Sequence, residues 1–163
     1  MAAQEAIAER RIGAGSRSAP RSLAFDGAIG TRQRVRMKWN RFFESGAAVR
    51  VSAAWAALGV ALGAFGAHAL KPVWLERPEG LETWKTAVMY HLLHAVVMLI
   101  MALQAGRANR VAWALMLVGT VAFSGSLYLL GTMGWKGLGP VTPLGGVFLL
   151  AGWGALIWQP WRK

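Results

Sequence analysis

From about Ala47 onward, the chain is divided into four uncharged apolar runs separated by short charged loops. Val51–Leu70 lies between Arg50 and Lys71. Thr86–Gly106 lies between Lys85 and Arg107. Val111–Trp135 lies between Arg110 and Lys136, and Gly137–Trp161 lies between Lys136 and Arg162. Each run is roughly 20 residues long. At about 1.5 Å of rise per residue, that matches the ~30 Å hydrocarbon core of a bilayer. One such run can be the core helix of a soluble domain. Four in succession leave nothing to cover them, so the expected fold is all-α: an integral membrane four-helix antiparallel bundle with spans at about 51–70, 86–105, 111–131 and 142–161. Loops this short join antiparallel neighbours, which gives an up-down-up-down order.

The charge pattern agrees with a membrane protein. The net charge of +11 comes from 18 Lys/Arg against 7 Asp/Glu, and ten of the basic residues fall in the first 50 positions. The others flank the apolar runs. This is the footprint of a topology signal and not of a nucleic-acid reader, so no nucleic-acid partner is expected. With the N-terminus inside, the inner segments hold fourteen basic residues. The outer loops hold four, Lys71, Arg77, Lys85 and Lys136, beside Glu76, Glu79 and Glu82. Basic residues near span ends stay on the cytoplasmic side. The expectation is therefore a multi-pass protein of the bacterial inner membrane with both termini cytoplasmic, or matrix-facing in an organelle. Trp39, Trp113, Trp158 and Trp161 fall at the inner boundary and Trp74, Trp84 and Trp135 at the outer one, where amphipathic rings collect. Trp55 and Trp153 lie deeper. Cysteine is absent, which excludes disulfides, thiolate metal sites and a Cys nucleophile.

Residues 1–46 read as a basic, disordered tail before a four-span domain at 47–163. Residues 1–36 are rich in Arg, Ala, Gly and Ser and carry no apolar period. They lack the apolar stretch of a secretory signal, and Glu5, Glu9 and Asp26 count against a transit peptide. Met37-Lys38-Trp39-Asn40-Arg41 resembles a natural start, a short basic segment before the first span, and 1–36 then reads as an upstream extension of the reading frame.

Small residues give the expected packing surfaces. In lipid no hydrophobic force draws helices together, so close backbone approach takes its place. The first run carries Gly59, Gly63 and Gly66 beside an alanine stripe, Ala54, Ala57, Ala61 and Ala64. It reads as the central helix, contacted on two faces. Ser124 and Gly125 on the third run and Gly145 and Gly146 on the fourth read as further packing positions. Thr120, Ser124, Tyr128 and Thr132 form a polar stripe expected to face the bundle. Pro78, with Glu79 and Glu82 behind it, suits the first turn of the second helix. Thr142-Pro143 reads as an N-cap and first helical residue for the fourth.

These residues also resemble a family. Gly63-Ala64-Phe65-Gly66-Ala67-His68-Ala69-Leu70-Lys71, Trp84-Lys85-Thr86-Ala87-Val88-Met89-Tyr90-His91-Leu92-Leu93-His94-Ala95, Phe123-Ser124-Gly125-Ser126-Leu127-Tyr128 and Val141-Thr142-Pro143-Leu144-Gly145-Gly146 together resemble the small bacterial membrane proteins of the YgdD/YwdK type, which have relatives in animal mitochondria. The resemblance covers about 37–161. It implies a four-helix inner-membrane protein whose biochemical role is not established, and it carries over no catalytic residue.

His68, His91 and His94 are the three histidines of the chain. Counted inward from Lys71 and Lys85 they fall at similar depth, and His91 and His94 share a helix face. Three imidazoles can hold Zn²⁺ or copper, and Met98 and Met101 continue the stripe. The alternative is that neutral histidines hydrogen-bond Tyr128, Thr132 or backbone carbonyls and pin helices together. A proton or ion path is a third reading, although no Asp, Glu, Lys or Arg lies within a span. No GxSxG, HExxH or phosphate-cradling loop is present, so no enzymatic activity and no cofactor are expected. The expected function is that of a non-enzymatic component of the lipid bilayer that packs against itself or another membrane protein.

Overall fold

The computed structural model describes Arg34, residues 37–104 and residues 107–158. The chain divides after Arg36, and the extension expected over 1–36 lies outside the described residues apart from Arg34. Among the described residues the fold is all-α. Residues 37–44 are helical. They are followed by α1 (Ala47–His68), the short α2 (Lys71–Glu76), α3 (Pro78–Gln104), α4 (Arg107–Met133), a 3-10 turn at Lys136–Leu138, and α5 (Val141–Ile157).

Within these helices, Ala47–His68, Pro78–Gln104 and Arg110–Met133 are long and apolar enough to cross a bilayer. With 17 residues, α5 is shorter. It spans about 26 Å, near the lower limit for a crossing. Pro78 opens α3 as expected, because a first-turn proline lacks only an N–H that has no intrahelical partner. The expected cap of the fourth helix is corrected. Pro140 stands at the N-cap of α5 and Thr142 is already inside the helix. The Thr142 hydroxyl instead pairs with Ser126 Oγ of α4 at 2.7 Å. At the end of α4, Gly134 adopts φ +62° and its N–H donates to Leu130 O at 2.9 Å, a left-handed stop that suits glycine.

Neighbours in sequence pack as antiparallel neighbours in space. Gly66 meets Trp84, Gly63 meets Val88 and Gly59 meets Leu92, so α1 runs down as α3 runs up. The α3–α4 pair meets at Gly80 against Gly131 and at Tyr90 against Phe123. The α4–α5 pair meets at Phe123 against Gly145, Gly119 against Leu149 and Met116 against Gly152. The expectation that the first span is central is therefore corrected. The inner helices are α3 and α4, with α1 seated mainly on α3 and α5 mainly on α4. On α1 only Ala48, Ser52, Gly59 and Gly66 are buried. Its glycines face α3, whereas Ala54, Ala57, Ala61 and Ala64 all point outward and are exposed.

The expected tail boundary at 46 is also corrected. Phe43 is 4% exposed and belongs to a buried cluster with Ala48, Met98, Met101, Ala102, Ala112, Trp113 and Met116. The 37–44 helix therefore covers one end of the bundle, and the folded domain includes it. Gly46, with φ +73°, makes the turn into α1, a backbone geometry that glycine adopts without steric cost.

Candidate functional site

In this bundle two of the three histidines lie between the helices. His91 and His94 are 1% and 2% exposed. The His91 Nε2 lies 3.0 Å from the carbonyl oxygen of Trp55 on α1, and its Nδ1 lies 3.2 Å from the Tyr128 hydroxyl on α4. A carbonyl only accepts, so Nε2 carries the proton. In a neutral ring Nδ1 then accepts from the Tyr128 O–H. His94 reverses this assignment. Its Nδ1 donates to the carbonyl of Tyr90 at 2.8 Å, and its Nε2 accepts the indole N–H of Trp153 on α5 at 3.2 Å. The partners thus fix two neutral imidazoles in opposite tautomers.

From these two residues of α3, hydrogen bonds reach every other long helix: α1 and α4 through His91, and α5 through His94. Neighbouring aromatic rings support both. Trp55 lies on His91 with centroids 4.4 Å apart, and Tyr90 stacks on His94 at 5.9 Å and 12°. Gly59 makes the first contact possible. A Cβ there would come within 3.3 Å of His91 Cδ2 and 2.8 Å of Leu92 Cδ2.

Further polar ties run along the same interfaces. The indole of Trp113 donates to Ser52 Oγ at 2.9 Å, joining α4 to α1. Those of Trp84 and Trp74 donate to the carbonyls of Leu62 and Gly66 at 3.2 and 2.7 Å. Of the expected boundary tryptophans, Trp39, Trp135 and Trp158 are exposed, but Trp74, Trp84 and Trp113 are buried packing residues. The polar stripe of the third span faces inward as expected: Thr120 and Ser124 are buried, and Thr120 donates back to Met116 O at 2.6 Å. Ser124 Oγ and Trp55 Nε1 are buried without a hydrogen-bond partner.

The three histidines do not converge. Among the described residues, no group of three His, Cys, Asp or Glu is placed to hold a metal ion. His68 is exposed near the end of α1, nine to thirteen residues from the level of Gly59 and Trp55 where His91 sits. That is roughly 13–20 Å along the helix. The expectation of similar depth fails because α3 already packs inside the bundle before Lys85. Trp84 lies against Gly66, so His91 is about two turns deeper than a count from Lys85 suggests. The single lone-pair nitrogen of His91 is taken by Tyr128, and that of His94 by Trp153. Met98 and Met101 lie in the apolar cluster beside Met116. This arrangement joins helices, and a metal would have to displace those bonds.

Of the expected packing positions, Gly59, Gly66 and Gly145 are buried where a Cβ would collide, and Gly63 is in tight contact with Val88. Gly146 is in ordinary contact with Phe123. Gly125 is corrected: a Cβ there meets nothing within 4 Å. Gly80 and Gly131, which bring the α3 and α4 backbones together, were not singled out by the sequence. Nor were Tyr90 and Trp153 as partners of His94. The available signal was the position of Trp153 well inside the fourth apolar run, since an indole N–H at hydrocarbon depth requires an acceptor.

Comparison with known proteins agrees with this architecture. Residues 62–146 match the family described as "Protein of unknown function (DUF423)". The chain is 41% identical over 104 residues to the UPF0382 membrane protein YwdK of Bacillus subtilis, covering 60% of this chain and 82% of that protein. It is 34% identical over 115 residues to the UPF0382 membrane protein C1782.12c of Schizosaccharomyces pombe, covering 66% and 95%. A UPF0382 membrane protein of Haemophilus influenzae is 39% identical over 107 residues, covering 64% and 85%. No solved structure matches the chain. With its apolar helices, its inward polar stripe and these relatives, the chain belongs to the DUF423/UPF0382 family of membrane proteins of unknown function.

Proposed function

We propose that this protein is a non-enzymatic component of the bacterial inner membrane, with both termini cytoplasmic, that associates through the outer face of α1 with a transmembrane helix of a second copy or of another membrane protein. The observation that carries this reading is the exposed stripe of Ala54, Ala57, Ala61 and Ala64. The glycines of α1 already serve α3, so the alanine face is a second close-packing surface that the monomer leaves uncovered. Small side chains permit the backbone approach that holds helices together in lipid. The orientation rests on the fourteen basic residues of the inner segments against four in the outer loops. A structural role fits an interior whose two histidines are both engaged in joining helices.

Single-molecule subunit counting in dilute liposomes tests the proposal, alongside crosslinking in native membranes. The expected result is association of the wild-type chain, weakened at least about tenfold by A57L/A61L, since branched side chains separate the backbones. A second copy gives homo-oligomers in liposomes, whereas a foreign partner gives crosslinks only in native membranes. A strictly monomeric chain with no crosslinked product in either setting contradicts the proposal.

A further inference from the structure

The 37–44 helix carries its aromatic and basic side chains in two adjoining sectors, with Lys38 four positions before Phe42. Trp39, Phe42 and Phe43 lie three and four positions apart and so share a face. Phe42 and Phe43 meet the Trp113 ring edge-on, each with centroids 5.6 Å away. Lys38 and Arg41 lie five and two positions from Phe43, about 140° and 160° around the helix. Because Phe43 is buried in the bundle, both cations point away from it, and both are exposed. Arg50, in the first turn of α1, is exposed as well. Glu44 is the one acidic residue of the segment. Among the described residues the ion pair is Lys85–Glu82, at the opposite end of the bundle, so Lys38, Arg41 and Arg50 have no salt-bridge partner there. The segment is held in place: Arg110 of α4 donates to Asn40 Oδ1, and its guanidinium lies 5.4 Å over the Phe43 ring.

A short helix fixed at the bundle end, with aromatic residues turned to the bundle and exposed basic residues in the adjoining sector, has the make-up of an interfacial element. We propose that Lys38, Arg41 and Arg50 form a binding site for the phosphate of an anionic glycerophospholipid in the adjoining leaflet, with Trp39 and Phe42 set against its glycerol and upper acyl chain. Trp39 is 40% exposed, which leaves its amphipathic ring available at that level. Each basic residue near an anionic membrane surface strengthens binding about fivefold.

The test uses the full chain reconstituted in phosphatidylcholine bilayer discs containing a minor share of phosphatidylglycerol. After extraction in mild detergent, retained lipid is counted by mass spectrometry. The wild-type chain should retain phosphatidylglycerol in preference to phosphatidylcholine. K38Q/R41Q/R50Q should lose that preference by about tenfold or more, while K71Q/K85Q, at the opposite end, should keep it. Circular dichroism monitors the fold. If the triple variant does not reconstitute, the three single variants decide the matter, each with about a fivefold loss. Retention unchanged in the triple or single variants, an equal loss in K71Q/K85Q, or binding of inorganic phosphate as tight as that of the lipid would each overturn the proposal.

Discussion

Replacing Gly145 by alanine should unseat α5 from α4, while the same change at Gly146, one position on, should leave the bundle intact or slightly firmer. A Cβ at Gly145 would lie 2.7 Å from Phe123 Cα and 2.9 Å from the carbonyl carbon of Ala122. These are backbone atoms, which do not move aside as the end of a side chain does. Overpacking of this kind costs about 2–3 kcal/mol. A Cβ at Gly146 would find its nearest neighbour, the Phe123 ring, at 3.8 Å. There the change only removes the conformational freedom of glycine, a gain of about 0.5–1 kcal/mol in a helix. The pair should therefore differ by about 3 kcal/mol in reversible unfolding by SDS titration from mixed micelles. Equal stability of the two variants would mean that α5 does not rest on α4 at this point.

His91→Ala should be about as damaging. It removes two interhelical hydrogen bonds, each worth about 0.6 kcal/mol on average and up to about 1.7 in membrane proteins. It also removes the ring packed against Trp55 and leaves the Tyr128 hydroxyl unpaired in a cavity. The sum is about 3 kcal/mol. A cycle with Tyr128→Phe isolates one of these contacts. Once the hydroxyl is gone, loss of the imidazole should cost less, by a coupling of about 0.6–1.7 kcal/mol. Strict additivity of the two changes would show that the hydrogen bond contributes nothing.

Much of the fold is legible in the sequence because the bilayer imposes strong rules. Uncharged runs of sufficient length mark the helices. Pro78 marks the start of α3, and the Thr120–Ser124 stripe marks the inward face of α4. The lateral arrangement is not legible. Glycine and alanine stripes look alike as small residues, and only the approach of Leu92, Val88 and Trp84 shows that α3 sits on the glycines of α1 and leaves the alanines outside. Depth is misread where a helix enters the bundle before its last charge. Lys85 marks the end of the apolar run, yet Gly80 is already against Gly131. For that reason His68 and His91 looked close in sequence, and for the same reason Gly80 lay outside the expected span. The 37–44 helix reads as tail because Lys38, Arg41 and Glu44 interrupt its apolar residues and give it the look of a short basic segment before the first span. Phe43 alone is buried enough to anchor it.

The central claim is that the interior histidines are neutral joints of the bundle, each fixed by a different set of partners. Nitrogen-15 NMR of the histidine rings, on the full-length protein in bilayers, tests it most directly, and with three histidines in the chain the signals are readily assigned by substitution. The proton of His91 should lie on Nε2 and that of His94 on Nδ1, with both signals unmoved by Zn²⁺ or Cu⁺. The same tautomer in both rings, a charged ring at neutral pH, or a shift of either signal on adding metal would contradict it.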